Sequence, residues 1–511
     1  MEIEGLLLEG QEKATEVQKE QTKTEVVTIQ GRLHYLNTKK KLTFLTLRSQ
    51  GETIQCLVEH ENEQLKRHLE HLVPETILRV TGRLQSTSFP IRSCTRENEE
   101  LIVTGIEIIS KPTRLLPFNL VDAERSISTS STSVEQRRDE KSKSKPTVEQ
   151  AHRLDHRSLD LRTLTNYSLM RLNSKLVQIM RNWLLKQNFT EIFTPKITGS
   201  ATEGGSDVFA VNYYGNSAFL TQSPQLYKQM AINGDLMRVF EVGPIFRAEK
   251  SHTHRHLSQF TGFDLELEVD SYEALLCFAE SFIINLLEEY NRVRIQSDEA
   301  IYLEKHLGGG LLNWVPTHKT REGFNLRPSD GSSSVIRVDY WTAIDMLNRH
   351  YSKEATSKES TGLTYSSDLN TEQERTLGQL VKDQTGVDFF ILNHFPLNNR
   401  AFYTAELPAE VATVIGAPSD VRWSCGFDLI LCGEEISSGA LRINDPKVLL
   451  ERCLEKGIAN SLDSYLESFE YGSPLHGGFG LGLERILMLL FKVPNVKQAS
   501  LFPRYPERLS P

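Results

Sequence analysis

Two stretches of the chain concentrate side chains suited to a phosphorylated substrate. The first runs from Arg238 through Arg247-Ala248-Glu249 and a polar loop to Arg255-His256-Leu257-Ser258-Gln259-Phe260. Its pattern predicts strand, loop and strand, with Arg247 and Glu249 two apart on one face and an Arg–His pair and an aromatic ring on the return strand. Guanidinium forks match phosphate oxygens and an aromatic face stacks on a base, so the set suits a triphosphate nucleotide. By themselves the same residues also fit a solvated hairpin with a charged tip. The second stretch, Gly472 to Gly482-Leu483-Glu484-Arg485, crowds glycines ahead of an apolar helix at 486–491. Glycine lets a ligand approach the backbone closely. A glycine-rich turn is common in α/β proteins, but an arginine at the helix start has no apolar reason to be there.

A chain of 511 residues is too long for one ordinary core, which predicts two domains. Hydrophobic residues at 39% and charged residues at 24% fit a soluble globular protein. No apolar run reaches the roughly 18 residues that a bilayer crossing needs. Residues 1–24 read as an acidic tail without arginine, lacking the pattern of a secretory signal or an Arg-rich transit peptide, and the expected location is the cytoplasm. Cys56, Cys94, Cys277, Cys425, Cys432 and Cys453 are scattered, with no C-x-x-C pair, and read as reduced thiols without a zinc site or disulfide framework. Net charge is −9, so a nucleic-acid partner must be argued from local patches.

Short runs of period two begin at Val27-Thr-Ile29, Leu42-Thr-Phe44-Leu-Thr-Leu47 and Thr53-Ile-Gln55-Cys-Leu57, followed by a helix (63–72) and strands at 76–84 and 101–109. Three strands, a helix and two strands within residues 25–112 predict a small OB-type barrel, for which a plain β-meander is the alternative. Residues 113–150 read as a hinge and serine-rich linker, and 151–511 as a second domain mixing helices and strands. Leu169, Leu172, Leu176, Ile179 and Trp183 recur at helical spacing, predicting a helix over 166–187. The strand predicted at 190–197 contains Pro195, which cannot donate to a ladder and belongs at an edge or interface.

Taken together, these segments resemble the three motifs of class II aminoacyl-tRNA synthetases, and the detail is similar to aspartyl enzymes of the eukaryotic and archaeal cytoplasmic type. The resemblance covers the chain from about residue 25. It implies an α+β architecture: an N-terminal OB-fold β-barrel, then a catalytic domain built on an antiparallel sheet flanked by helices. Thr202-Glu203-Gly-Gly205 resembles the family's mobile substrate-covering loop, Gln222-Ser-Pro-Gln225-Leu226-Tyr227-Lys228 its amino-acid pocket, and Glu434-Glu435 through Ser438 to Arg442 the segment giving metal and side-chain contacts.

The implied chemistry is attack of the L-aspartate α-carboxylate on the α-phosphorus of ATP, then transfer to the 3′ end of tRNA(Asp). The nucleophile is already anionic, so alignment and charge neutralisation are what the site must supply. On this resemblance Arg247 serves the α-phosphate and the substrate carboxylate, and Arg485 the far end of ATP. Phe260 stacks on adenine, while Ala248, Glu249, Arg255, His256, Leu257, Gly482, Leu483 and Glu484 line the nucleotide path. Glu435 and Ser438 position Mg²⁺, a hard cation preferring oxygen. Lys228 and Arg442 pair the substrate side chain, Glu203 and Gln225 take its ammonium group, and Asp264 orients the lysine or arginine. Asparagine would leave buried cations facing a neutral amide; one unpaired buried charge costs about 3–5 kcal/mol, roughly a hundredfold rejection or more. Asparaginyl enzymes resemble this fold but typically carry an apolar residue at the position of Lys228, although a lysine on an amphipathic helix is otherwise commonplace at a surface.

In the barrel, Phe44, Gln55, Ser93 and Glu100 match positions where the family reads anticodon bases, with Arg32 and Lys39–Lys41 for phosphates; Phe44 could equally be core. The resemblance further implies a homodimer through the Pro195 segment, with neither DNA nor membrane among the partners. Three departures stand out: Gln259 where the family has glutamate, a longer 405–422 loop beside the pocket, and an N-terminal tail without the lysine-rich extension of some relatives. An asparaginyl enzyme and a non-catalytic tRNA-binding paralogue are the alternatives.

Overall fold

The computed structural model describes residues 26–61, 63–70, 72–130, 146–199, 208–249, 253–307, 311–312, 314, 335–354, 362–459 and 462–511. The 1–24 tail, the 131–145 part of the serine-rich stretch and the Thr202–Gly205 loop with Glu203 lie outside the described residues. Two compact units divide the chain, Met1–Pro117 and Phe118–Pro511.

In the first unit, β1 (Val26–Thr38), β2 (Leu42–Ser49), β3 (Glu52–Glu59), β4 (Ile77–Ser86) and β5 (Glu99–Ser110) close into a barrel in the order β1-β2-β3-β5-β4. Closure removes the open strand edges that a meander would leave. Alternation sends Leu45, Leu47, Ile54, Cys56, Val58, Leu78, Val80, Leu101 and Val103 inward to fill it.

The second unit holds a three-stranded sheet of β7 (Ile197–Thr198), β8 (Ala210–Tyr213) and β9 (Asn216–Leu220), and a larger one that positions the site. The larger sheet begins with β6 (Thr190–Glu191) and adds β10 (Arg238–Phe246), β11 (Gln259–Glu268), β12 (Ile336–Asp339), β13 (Phe389–Asn393), β14 (Gly426–Leu431), β15 (Glu434–Leu441) and β16 (His476–Gly482). Its order is β12-β13-β14-β15-β16-β11-β10-β6. The body is antiparallel as expected, but the pairs at the two ends, β12–β13 and β10–β6, are parallel, so the sheet is mixed. Helix Leu164–Lys186, capped by Thr163, buries Leu169, Leu172, Leu176, Met180 and Leu184 in the core.

Two expectations change in detail. The strand at 190–197 survives only as its ends, with β6 at the sheet edge where the proline argument places it. Helix Leu120–Ser130 stands where the composition reads as linker. It is tied down by buried Leu120 and Ala123 and by Glu124, whose carboxylate accepts from Thr165 N (3.1 Å) and Tyr302 O–H (3.0 Å).

Candidate active site

A cavity of about 380 Å³ opens over β11, β15 and β16. Strands β10 and β11 form a hairpin, in register from Arg238↔Leu267 to Phe246↔Gln259, and the segment that joins them supplies Arg247 and Arg255 to the cationic wall. Arg247, Glu249, Arg255, His256, Leu257 and Phe260 all line the cavity, as do Gly482, Glu484 and Arg485 from the opposite side. Strand β11 starts only at Gln259, so Arg255, His256 and Leu257 sit in the loop before it and not on a return strand. The Arg247 guanidinium lies 5.6 Å from the centre of the Phe260 ring, leaving a slot with a cation on one side and an aromatic face on the other. Arg255 is gripped by Glu374 from helix Thr371–Thr385. Burial, then the nearby Arg485 charge, holds His256 below the usual imidazole range, so it is neutral here at physiological pH.

Arg485 sits in the first turn of helix Leu483–Leu490 and donates to the Glu435 carbonyl at 2.7 Å. Glu484 lines the cavity and accepts from Thr261 N and Oγ1, which pins that helix to β11, while Leu483 is core and absent from the cavity wall. Ala248, Leu226 and Tyr227 are likewise absent from the cavity wall, and Leu226 packs with Phe402 and Tyr403.

Strand β15 supplies Glu435 and Ser438, three residues apart, a spacing that puts them on opposite faces of a regular strand. The β14–β15 register slips between Leu429 and Ile430, pairing Ile430 with Glu435 and Asp428 with Ser438. This bulge turns both side chains toward the cavity. Asp428, across from Ser438, is one functional group the sequence reading missed. Burial, incompletely offset by Arg400 and reinforced by Glu435, pushes its carboxyl up to about 7. Burial works the same way on Glu435, but Arg485 and then Arg400 hold that carboxyl below the usual range.

Below the cavity lies a buried charge cluster. Arg442 donates from Nε to Glu266 Oε1 (2.8 Å) and from Nη2 to Gln225 Oε1 (3.2 Å). The Lys228 ammonium lies 3.3 Å from Asp264 Oδ1 and 3.6 Å from Glu266 Oε2 and is completely buried, which excludes a surface lysine. Lys228 does not line the cavity; Arg442, Gln225 and Asp264 do. Gln225 donates to Glu266 Oε2 at 3.0 Å, so its amide is committed to the cluster. Burial pulls the Glu266 carboxyl up, yet Arg442 and Lys228 hold it below the usual range, and two cations face two carboxylates. Sequence reading missed Glu266. Its trace was the register: Asp264 pairs with Gly480 and Glu266 with Gly478. A Cβ at 478 would lie 2.4 Å from Glu266 Oε2, and one at 480 would lie 2.5 Å from Asp264 Oδ1. These glycines make room for the carboxylates as well as for a ligand.

Residues 149–506 match the family model of class II tRNA synthetases (D, K and N), and residues 27–109 match the OB-fold nucleic acid binding domain. Cytoplasmic aspartate–tRNA ligase of Homo sapiens is 37% identical over 491 residues, covering 95% of this chain and 89% of that protein. An aspartyl-tRNA synthetase structure from Entamoeba histolytica is 34% identical with a TM-score of 0.76, covering 96% of this chain and 90% of the other. Asparaginyl-tRNA synthetase from Pyrococcus horikoshii, complexed with asparaginyl-adenylate, reaches a TM-score of 0.75 at 26% identity, covering 96% of each chain. The chain belongs to the class II tRNA synthetases, in their aspartyl group.

Two of the synthetase's sequence departures fall away from the cavity. Gln259 is exposed, pairs with Phe246 and bridges to Arg504, and does not line the wall. The 405–422 loop meets the cavity only through neighbouring Thr404; its Leu407, Pro408, Val411 and Ile415 line a second cavity of about 420 Å³ with Tyr272, Arg337 and His394. In the barrel unit, Phe44 and Gln55 lie on the outer face, since Leu45 and Cys56 take the inward positions and Phe44 is outside the core. Gln55 donates to Glu100 Oε2 at 2.9 Å, joining those two on one patch. Ser93 and Lys39–Lys41 are exposed in loops, and Arg32 is half-buried on β1. Among the described residues no helix is long and apolar enough to cross a membrane.

Proposed function

We infer that this synthetase joins L-aspartate to tRNA(Asp), using ATP, the substrate of its class. The observation that carries the reading is the Arg442–Glu266–Lys228–Asp264 cluster at the floor of a cavity whose walls hold Arg247, Arg485 and Phe260. Phe260 offers adenine a stacking face, and Arg247 stands beside it to meet the α-phosphate and the substrate carboxylate. Arg485, with Arg255 and neutral His256, holds the far phosphates. Fixed guanidinium groups neutralise charge spreading over the phosphate without reorganising, and bound reactants attack within one complex.

Arg442 meets the aspartate side-chain carboxylate at the cavity floor, while Lys228 adds positive charge from beneath. The Gln225 amide oxygen, which already accepts from Arg442 Nη2, keeps a second lone pair for the ammonium group, which Glu203 also serves. Both cations already face the Asp264 and Glu266 carboxylates, so what asparagine forfeits is the charge-assisted bond that a carboxylate makes with the Arg442 guanidinium, and that loss disfavours it.

Asp428, Glu435 and Ser438 fit a Mg²⁺ ion. Two carboxylates and a hydroxyl, brought together by the β14–β15 register, are hard oxygen donors of the kind this ion prefers. Among the described residues no group of three or more His, Cys, Asp or Glu stands ready for a metal, so phosphate oxygens would complete the set. When bound, the ion supplies neutralisation of phosphate charge.

The barrel, at about residues 25–112, reads the anticodon by stacking on Phe44 and through Gln55, Glu100, Ser93 and Arg32, with Lys39–Lys41 on phosphates; residues 151–511 carry the chemistry. A homodimer through the β6 edge is supported by Phe193 at 81% and Ile197 at 48% exposure beside Pro195. The cytoplasm is the proposed site of action. Aminoacylation of purified tRNA(Asp) and tRNA(Asn) with labelled aspartate tests the reading: charging of tRNA(Asp) is expected, reduced at least tenfold in kcat/KM by Phe44→Ala. Charging of neither tRNA would refute it.

A further inference from the structure

We infer that Arg400 is a built-in counter-cation for the Asp428–Glu435–Ser438 oxygens, so that a divalent ion takes this site only when a nucleotide releases the arginine. The inference rests on the reading of those three residues as the ion's ligands. Arg400 Nη1 donates to Ser438 Oγ at 2.7 Å, and Nη2 donates to Asp428 Oδ1 at 2.8 Å. Its guanidinium carbon lies 3.6 Å from the centre of the buried Phe395 ring, a close cation–π contact. Gly426 completes the bed: a Cβ there would stand 3.1 Å from Arg400 Nε and 3.4 Å from its Cγ. Glycine at 426 thus admits the arginine, and Nε stays buried without a partner.

Two of the three oxygen donors are therefore already engaged by short N–H bonds. A guanidinium and a hard divalent ion compete for the same oxygens, and two cations in one small buried set repel. Without substrate, the arginine neutralises the carboxylates and disfavours metal. A triphosphate changes both terms: it brings oxygens that enlarge the ion's ligand set, and negative charge that attracts the guanidinium. Arg400 lines the same cavity as Arg247 and Arg485, so once released it remains facing the phosphates. The geometry makes Arg400 a positioning residue that couples metal entry to nucleotide binding.

Mn²⁺ is the probe, its free concentration read by electron paramagnetic resonance during titration with the full chain, with and without a non-hydrolysable ATP analogue. The wild-type protein is expected to bind Mn²⁺ weakly alone and far more tightly with the analogue. Arg400→Gln is expected to bind Mn²⁺ at least tenfold tighter than wild type without nucleotide, and the analogue's enhancement shrinks accordingly. Arg400→Lys, whose single ammonium cannot bridge both oxygens, is expected to fall between and serves if the glutamine variant does not fold. Adding Glu435→Gln must remove the gain. Folded Arg400 variants that bind Mn²⁺ no tighter than wild type without nucleotide overturn the inference. A gain that persists after Glu435→Gln places the ion elsewhere, and then the ligand reading is what has failed.

Discussion

Arg442 Nε donates to Glu266 Oε1 at 2.8 Å, with the two side chains only 5% and 0% exposed. A buried pair of this kind contributes little net stability compared with a well-packed apolar pair, but removing one partner leaves an uncompensated charge. The pair therefore serves to fix a guanidinium at the floor of the substrate cavity.

Glu266→Gln should leave Lys228 and Arg442 facing Asp264 alone. The expected loss is about 3–5 kcal/mol of stability, seen as a lower melting temperature by calorimetry, with aspartate-dependent pyrophosphate exchange down at least a hundredfold. Unchanged melting and exchange would show that Glu266 does not set the pocket.

Arg485→Ala removes the cation that donates to the Glu435 carbonyl and faces the far end of the nucleotide path. Adenylate formation should fall below detection, roughly three orders of magnitude for a donor to developing phosphate charge. tRNA binding in a filter assay should stay within a factor of two, because the barrel is untouched. Full adenylate formation in this variant would contradict the assignment.

His476, fully buried on β16, has its ring nitrogens engaged by Gln229 Nε2 (3.0 Å) and the Pro474 carbonyl (2.8 Å), which fixes a neutral ring donating to Pro474. Burial is the main reason its pKa is lowered. The unfolded chain then takes up a proton near pH 6.5 that the folded state refuses, so stability falls as the pH drops from about 7 toward the lowered folded value, by up to about 1.4 kcal/mol per pH unit. Melting curves from pH 7.5 to 5.5 should show that loss in the wild type and a smaller one in His476→Asn. Equal slopes would remove His476 as the cause.

How much of this was legible in the sequence depended on distance along the chain. The barrel strands and strands β10 and β11 are written in local alternation, so they could be read directly, whereas the place of Arg247 and Arg255 in the segment between those two strands could not. Lys228 and Arg442 were visible as cations but not as partners of Glu266, because only the β11–β16 register opposes Glu266 to Gly478 and opens space beneath the pocket. Asp428 and Arg400 were missed for the same reason: they meet across 28 residues of chain, and Asp428 is set opposite Ser438 beside a bulge that no local pattern marks. The 405–422 loop borders the pocket in sequence through Thr404, yet its apolar residues turn to another cavity.

Selection of aspartate through the buried Lys228 and Arg442 is decided by pyrophosphate exchange with L-aspartate and L-asparagine supplied separately to the wild-type protein. Exchange with aspartate at least a hundredfold faster in kcat/KM than with asparagine is predicted, and that preference should collapse in Lys228→Leu. Exchange with asparagine alone, or equal exchange with both, would contradict it.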